Sequence, residues 1–212
     1  MKYQRVSTGL ISKKNTIESM KILGIIFCGG KSLRMGTDKE LISLGQQNWA
    51  QHAFEKLSSL GLTVKVSINP MQKKTYINYF QESNLIVDDF PIDIGGPLLG
   101  LLSAHLKNPL EDHFVLACDT PLMNGKALKK LIDAYRHFTG FEAYVFENDG
   151  RFEPLCAIYT ASALKRILGL LETGEMRKHS MKEVLYHLNI KVLKVEQEDI
   201  QAFENFNSYV LK

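Results

Sequence analysis

Cysteine is scarce in this chain and carries no pattern. The three residues, Cys28, Cys118 and Cys156, are far apart and none sits in a CxxC. That spacing argues against a disulfide framework or a cysteine-held zinc, and it fits a reducing, cytoplasmic compartment. Long apolar runs are missing as well: no stretch approaches the ~20 consecutive residues of a membrane span, so no membrane is expected as a partner. There is no large excess of charge. The 26 Lys and Arg against 23 Asp and Glu leave a net +3, too little for a protein built to coat nucleic acid. The six histidines show no metal-ligand spacing, and no Ser-His-Asp or Cys-His arrangement stands out. Tyr and Phe fall at core spacing rather than forming a base-stacking platform.

What is present fits one domain. The chain has 212 residues and is 45% hydrophobic, enough for a single buried core. No Ser/Gly/Pro-rich linker divides it and no internal repeat is visible. Residues 1–20 carry Lys2, Arg5, Lys13 and Lys14 without an apolar core behind them, which is not the pattern of a signal peptide. They are expected to be a variable or disordered leader, with the domain over 21–212. Met20, directly before the first apolar run, offers a downstream start as an alternative.

Strands are expected over 22–27, 62–68, 85–87, 113–117, 143–147, 152–159 and 190–195, from continuous or alternating apolar residues. Residues 41–44 read as a short edge piece before the turn at Gly45. Helices are expected over 49–60 with Asn48 as cap, from Pro97 onward, and over 124–138, 161–171 and 180–188. A polar helix containing Tyr76, Ile77 and Phe80 is expected after Asn69-Pro70. Residues 90–100 are Gly- and Pro-rich and read as a loop. Asn148-Asp149-Gly150 between two strand patterns signals a hairpin. Strands alternating with helices imply an α/β fold: a single-domain, doubly wound, mostly parallel sheet. Sites in such sheets lie beyond the carboxyl ends of the strands.

Three strand ends carry unusual chemistry. The first opens into Gly29-Gly30 and then a loop with Lys31, Arg34 and Lys39. Glycines let a backbone approach a phosphate closely and the cations neutralise its oxygens. The loop lacks both G-x-x-x-x-G-K-[ST] and G-x-G-x-x-G, so neither common phosphate-binding pattern applies. A solvated basic turn is the competing reading. The second end is Asp88-Asp89, which could contact a ribose, a base or a metal, or serve only as a turn. The third is Asp119, followed by Thr120-Pro121. A carboxylate there can hold Mg²⁺ against phosphate oxygens, and capping the segment after Pro121 is the alternative. Gly95-Gly96-Pro97 places glycines at a helix start, as close ligand approach would require. Cys118 reads as a small core residue rather than a nucleophile.

Taken in order, these motifs resemble a family. Phe27-Cys28-Gly29-Gly30-Lys31-Ser32-x-Arg34-Met35-Gly36-x-Asp38-Lys39 resembles the L-A-G-G-x-S-x-R-M-G-x-D-K opening of the small nucleotidyltransferases. Gly96-Pro97-Leu98-Leu99-Gly100 and Cys118-Asp119-Thr120-Pro121 resemble the G-P-L-x-G and C-D-x-P motifs of the molybdenum cofactor guanylyltransferases. Arg151-Phe152-Glu153-Pro154-Leu155 is similar to that branch's R-x-[EH]-P-L. Residues 202–208 are similar to its closing F-x-N-x-N-T. The resemblance runs from residue 24 to 208. It departs at Phe27-Cys28, where the family has Leu-Ala, and at Ser67-Ile68-Asn69, where the family has Asn-x-Asn.

The resemblance implies a Rossmann-like nucleotidyltransferase fold and the transfer of GMP from GTP to molybdopterin, with release of pyrophosphate. It implies that Phe27, Cys28, Gly29 and Gly30 wall the GTP site. Lys39 would meet the phosphates, Asp89 the nucleoside end, and Asp119 a Mg²⁺ ion. Asn69 and Gly96 join the binding set, and Arg34 is added to the catalytic residues for its charge. Implied partners are GTP, molybdopterin, and the chaperones or apo-molybdoenzymes that receive the product. The competing functions are a molybdopterin cytidylyltransferase, a sugar-phosphate nucleotidyltransferase and a non-catalytic nucleotide-binding adaptor. The retained Gly-Pro-Leu, and Thr120 where the cytidylyltransferases typically have Gln, favour guanine.

Overall fold

The computed structural model describes residues 22–29 and 38–206. The expected leader, Gly30, Lys31 and Arg34 of the basic loop, and Asn207 and Ser208 of the closing motif lie outside the described residues.

In chain order the elements are β1 (Ile22–Phe27), β2 (Ser43–Leu44), β3 (Gln47–Asn48), α1 (Trp49–Ser58), β4 (Thr63–Ile68), α2 (Lys73–Tyr76) and β5 (Leu85–Val87). There follow α3 (Gly96–Lys107), β6 (Asp112–Ala117), α4 (Gly125–His137), β7 (Ala143–Asn148), β8 (Arg151–Tyr159), α5 (Ala161–Glu172), α6 (Met181–Tyr186) and β9 (Ile190–Lys194). Seven strands form one sheet in the order β5-β4-β1-β6-β8-β7-β9, while β2 and β3 make a separate two-stranded piece. The four strands from β5 to β6 run parallel. Strand β8 runs antiparallel to both β6 and β7, and β9 is again parallel to β7. The expectation of a mostly parallel α/β sheet is met, and the antiparallel member is the return arm of the expected hairpin. Asp149 and Gly150 take φ of 51° and 74° there, the left-handed geometry a two-residue hairpin turn demands.

Both faces of the sheet are covered, as the unbroken apolar runs require. Along β1, Leu23, Ile25 and Phe27 join the core under α3, α5 and α6, while Ile26 and Cys28 join the core under α1, α2 and α4. Asn48 caps α1 through a full capping box, its side chain accepting from Gln51 N and its own N–H donating to the Gln51 side chain. The polar helix expected around residues 76–80 is a single turn, because only Tyr76 and Phe80 are buried there, whereas Ile77 and Tyr79 face solvent. A stripe that narrow gives a longer helix nothing to pack with.

The strand order reverses about β1. The chain moves outward from β1 through β4 to β5, then returns to place β6 on the other side of β1. At such a reversal the connections leave in opposite directions and open a crevice beyond the strand ends. Gly29, Asn69, Asp88 and Asp119 all fall within two residues of those ends.

Candidate active site

The end of β1 is tied down before it reaches the glycines. Cys28 N–H donates to Ser67 O at 3.0 Å, continuing the ladder to β4 by one step. Cys118 Sγ donates to Phe27 O at 3.0 Å across the β1–β6 seam. Both Cys28 and Cys118 are free thiols, and hydrogen bonding with the adjacent Cys28 thiol, together with burial, pushes the Cys118 thiol up. Cys118 is therefore a protonated core group, as its position in sequence suggested. Gly29 is where neighbouring strand ends close in: a Cβ there would stand 3.0 Å from Asp88 Oδ2 and 3.8 Å from Asn69 N.

Gln72, which sequence reasoning did not single out, is the organiser of this corner. It is buried, and its Nε2 donates to Cys28 O at 2.8 Å and to Asp38 Oδ2 at 3.1 Å. Its Oε1 accepts from Asn69 N at 2.9 Å. One side chain thus joins the end of β1, the end of β4 and the exit of the basic loop. The signal was present as Asn69-Pro70-Met71-Gln72, the spacing of a capping box. Asn69 Oδ1 accepts from Met71 N and Gln72 N. The Asn69 oxygen is accordingly engaged as a cap, and its amide nitrogen is what remains for a ligand.

Lys39 and Asp119, eighty residues apart, form an ion pair with Nζ 3.0 Å from Oδ2. Both side chains keep roughly a quarter of their surface exposed, so each can exchange its partner for a ligand. Lys39 opens a short 3₁₀ turn, Lys39–Leu41, directly after Asp38. Behind it Glu40 is buried with Oε2 unpartnered, and burial pushes its carboxyl up. Asp119 is pinned from the other side by Phe206, whose N–H donates to Asp119 O at 2.9 Å.

On the β4–β5 flank Ser67 Oγ donates to Asp88 Oδ1 at 2.7 Å. Burial pushes the Asp88 carboxyl up to about 6, against the pull of the Ser67 hydroxyl. Asp89 is held by its backbone: its N–H donates to Ser103 Oγ at 2.9 Å, and that hydroxyl donates back to Asp89 O at 3.1 Å. Gly96 stands exposed at the start of α3. Gly100, one turn on, lets α3 approach the site, since a Cβ there would fall 2.5 Å from Ser67 Oγ.

A cavity of about 220 Å³ adjoins Asp119 on the side away from β1. Its walls include Met123, Glu153, Leu155, Phe203 and Asn205. Strand β8 makes room for it by a bulge. Val145 pairs with Ala157 but Phe146 pairs with Glu153, leaving residues 154–156 out of register with β7. Pro154 has no N–H to lose from the ladder, and the bulge re-aims its neighbours. Burial pushes the Glu153 carboxyl up.

The structure therefore brings Phe27, Cys28, Gly29, Lys39, Asn69, Asp89 and Asp119 to one edge of the sheet. Gly30 and Arg34 lie outside the described residues. Among the described residues one further acidic group, Glu196, Glu198 and Asp199, could hold a metal by proximity. Lys126 and Lys130 already neutralise it, and it lies at the start of the 3₁₀ segment Gln197–Phe203, with Glu196 as its cap residue, outside the set of strand ends.

Comparison with known proteins identifies the family and the fold. Residues 24–188 match the family described as MobA-like NTP transferase domain. The chain is 33% identical over 187 residues to a molybdenum cofactor guanylyltransferase of Campylobacter jejuni, covering 87% of this chain and 90% of that one. It is 27% identical over 183 residues to a probable molybdenum cofactor guanylyltransferase of Flavobacterium johnsoniae, covering 86% and 90%. Among solved structures, the molybdopterin-guanine dinucleotide biosynthesis protein A of Archaeoglobus fulgidus superposes with a TM-score of 0.69. It is 21% identical, with 88% of this chain and 92% of that one covered, and shares the fold.

Proposed function

Because the chain belongs to the MobA-like NTP transferase family, we propose that it transfers GMP from GTP to molybdopterin, giving the guanine dinucleotide form of the cofactor and pyrophosphate. The observation that carries this reading is the Lys39–Asp119 pair at the β1–β6 seam, where the reversal of strand order opens a crevice.

A terminal phosphate oxygen of molybdopterin forms a bond to the α-phosphorus of GTP. The bond from that phosphorus to the bridging oxygen breaks, and pyrophosphate leaves with the electron pair. The attacking oxygen is already anionic, so no general base is needed and catalysis is positioning plus charge neutralisation. The backbone at Phe27, Cys28 and Gly29 lines the nucleotide, with Asn69 and Asp89 toward the nucleoside. Lys39 exchanges Asp119 for phosphate oxygens. The cavity beyond Asp119 takes the acceptor, opposite the leaving group.

Asp119 suits Mg²⁺, since one accessible carboxylate completed by phosphate oxygens and water is the set this ion prefers. When bound, the ion supplies further neutralisation at the reacting phosphate. We extend the expectation to Gly30, Arg34 and Gly96 in the phosphate-facing loops, to a cytoplasmic location, and to molybdoenzymes or their chaperones as recipients. Among the described residues no helix is long and apolar enough to cross a membrane.

Pyrophosphate release by the purified protein with Mg²⁺, molybdopterin and either GTP or CTP tests the reading. Release with GTP alone is expected. Equal use of CTP removes the guanine assignment, and GTP binding without turnover points to an adaptor.

A further inference from the structure

Asp88 combines three features that the phosphate chemistry leaves unused. It is a half-buried carboxylate at the end of β5. Its Oδ1 is held by the buried Ser67 hydroxyl at 2.7 Å. Its Oδ2 lies against Gly29, so close that a Cβ there would sit 3.0 Å away. A carboxylate fixed in this way is an acceptor-only group with lone pairs left over. Its own element adds Asp89. From α3, Lys107 is near enough to favour the charged form, but the Lys107 Nζ is bonded to Val87 O at 2.8 Å.

A triphosphate cannot settle beside this carboxylate without like-charge repulsion. The anionic end of a nucleotide belongs instead at Lys39, whose ammonium offsets the Asp119 carboxylate, on the far side of β1. Asp88 and Asp119 follow β5 and β6, which stand three interstrand intervals apart in the sheet order. Each interval is about 4.8 Å. That is the scale separating the base of a nucleotide from its phosphates. Position and chemistry then select the ligand group: an edge with two adjacent N–H donors and no acceptor between them. Guanine offers this at N1–H and the 2-amino group. Cytosine presents the N3 lone pair, which a carboxylate repels.

We propose that Asp88, oriented by Ser67, is the group that reads the guanine base, accepting from N1–H and the 2-amino group. The proposal rests on the GMP-transfer reading above. It gives Ser67, Gly29 and Gly100 one shared role. Gly100 admits α3 against Ser67, Ser67 fixes the carboxylate, and Gly29 leaves the space its second oxygen occupies.

Equilibrium binding of GTP, ITP, dGTP and CTP to the full chain, by calorimetry with Mg²⁺ and without molybdopterin, separates the cases. ITP lacks the 2-amino group, and dGTP lacks only the ribose 2′-hydroxyl. The wild type should favour GTP over ITP by tenfold or more, the loss of one hydrogen bond to a charged partner. Asp88→Asn should bring that ratio close to one, weakening GTP at least tenfold while leaving the GTP-to-dGTP ratio unchanged. Ser67→Ala, which keeps the carboxylate but frees its rotamer, should lower the GTP-to-ITP ratio severalfold. A GTP-to-ITP ratio unaltered in a folded Asp88→Asn protein overturns the proposal. So does a collapse of the GTP-to-dGTP ratio instead, which would place Asp88 on the ribose. If the wild type itself binds CTP as tightly as GTP, the GMP-transfer reading falls first and takes this one with it.

Discussion

Lys39 and Asp119 share one ion pair across the β1–β6 seam, so each variant has a defined cost. Asp119→Ala should reduce pyrophosphate release by at least about 100-fold, the usual scale for one lost charge-stabilising group, while circular dichroism and the melting temperature stay near wild type. Full activity in a folded Asp119→Ala protein would remove Asp119 from the metal role. Lys39→Ala should lower turnover on a similar scale, with a smaller change if Lys39 only assists ground-state binding. Gln72→Ala leaves the buried Cys28 carbonyl without that side-chain partner and Asn69 N–H without an acceptor. We expect a loss of about 2 kcal/mol, the scale for unsatisfied buried groups, read from the urea midpoint, and a raised KM for GTP. At this scale the sequence was legible only in part. Lys39 and Asp119 stand out because charge beside a buried strand is unusual. Gln72, Glu40 and the Ser67–Asp88 bond did not, because their meaning comes from partners brought in by other strands. Gln72 reaches Cys28, 44 residues away, and Ser67 reaches Asp88, 21 residues away.

Elements were easier to read than residues wherever a cap or turn residue coincided with a change of period. Asn48 before α1, Asn124 before α4, Thr160 before α5 and Ser180 before α6 all accept from the third residue onward. Each marks a helix start that short-range chemistry fixes. Asp149-Gly150 fixed the β7–β8 hairpin for the same reason. The one-turn α2 was overread because three apolar residues do not reveal which of them face the core. The β8 bulge was invisible, since register depends on the partner strand. At α3, the fit against β1 and β4 is tight. A methyl group at Gly100 would come within 2.5 Å of Ser67 Oγ and 3.2 Å of the Phe27 ring. Gly100→Ala should therefore destabilise by about 1–3 kcal/mol, as overpacking does, where an exposed helical Gly→Ala would stabilise. Denaturant midpoints decide between the two signs.

Over the whole molecule, two ionisable groups, one buried and one half-buried, bend the pH dependence of stability in opposite senses. Burial, with His105 beside it, pushes His113 down to about 3, against the pull of the Asn108 backbone. The unfolded chain takes up a proton near 6.5, so the contribution of neutral His113 is complete above that pH. It is lost progressively as pH falls from about 6.5 toward 3, by up to about 1.4 kcal/mol per unit. Asp88 is raised to about 6, so its folded form holds a proton more tightly than the unfolded chain does. Its contribution is greatest below about 4 and is lost as pH rises through about 6. His113→Leu should flatten the acid limb of a melting-temperature profile between pH 6.5 and 4. Asp88→Asn should raise the melting temperature at pH 8, as relief of a functionally placed but costly charge does. The doubly wound architecture itself could be read from the alternation of strands and helices. The convergence of Gly29, Asp88 and Asp119 followed from the general rule for such sheets.

The hydrogen bond from Phe206 to Asp119 has a consequence for how such a molecule can change. The crevice has two jaws that differ in origin. One is made by β1, β4, β5 and the turn holding Gln72, and is cross-braced from within the sheet. The other is made by the β8 bulge and the segment around Phe203 and Asn205, clasped to the sheet at Asp119. Substitutions in the second jaw alter the cavity beside Asp119 while the first keeps its internal bracing. On the proposed placement of the two substrates, a fixed jaw and an exchangeable one meeting at a single aspartate allow the acceptor to be respecified while the nucleotide stays the same.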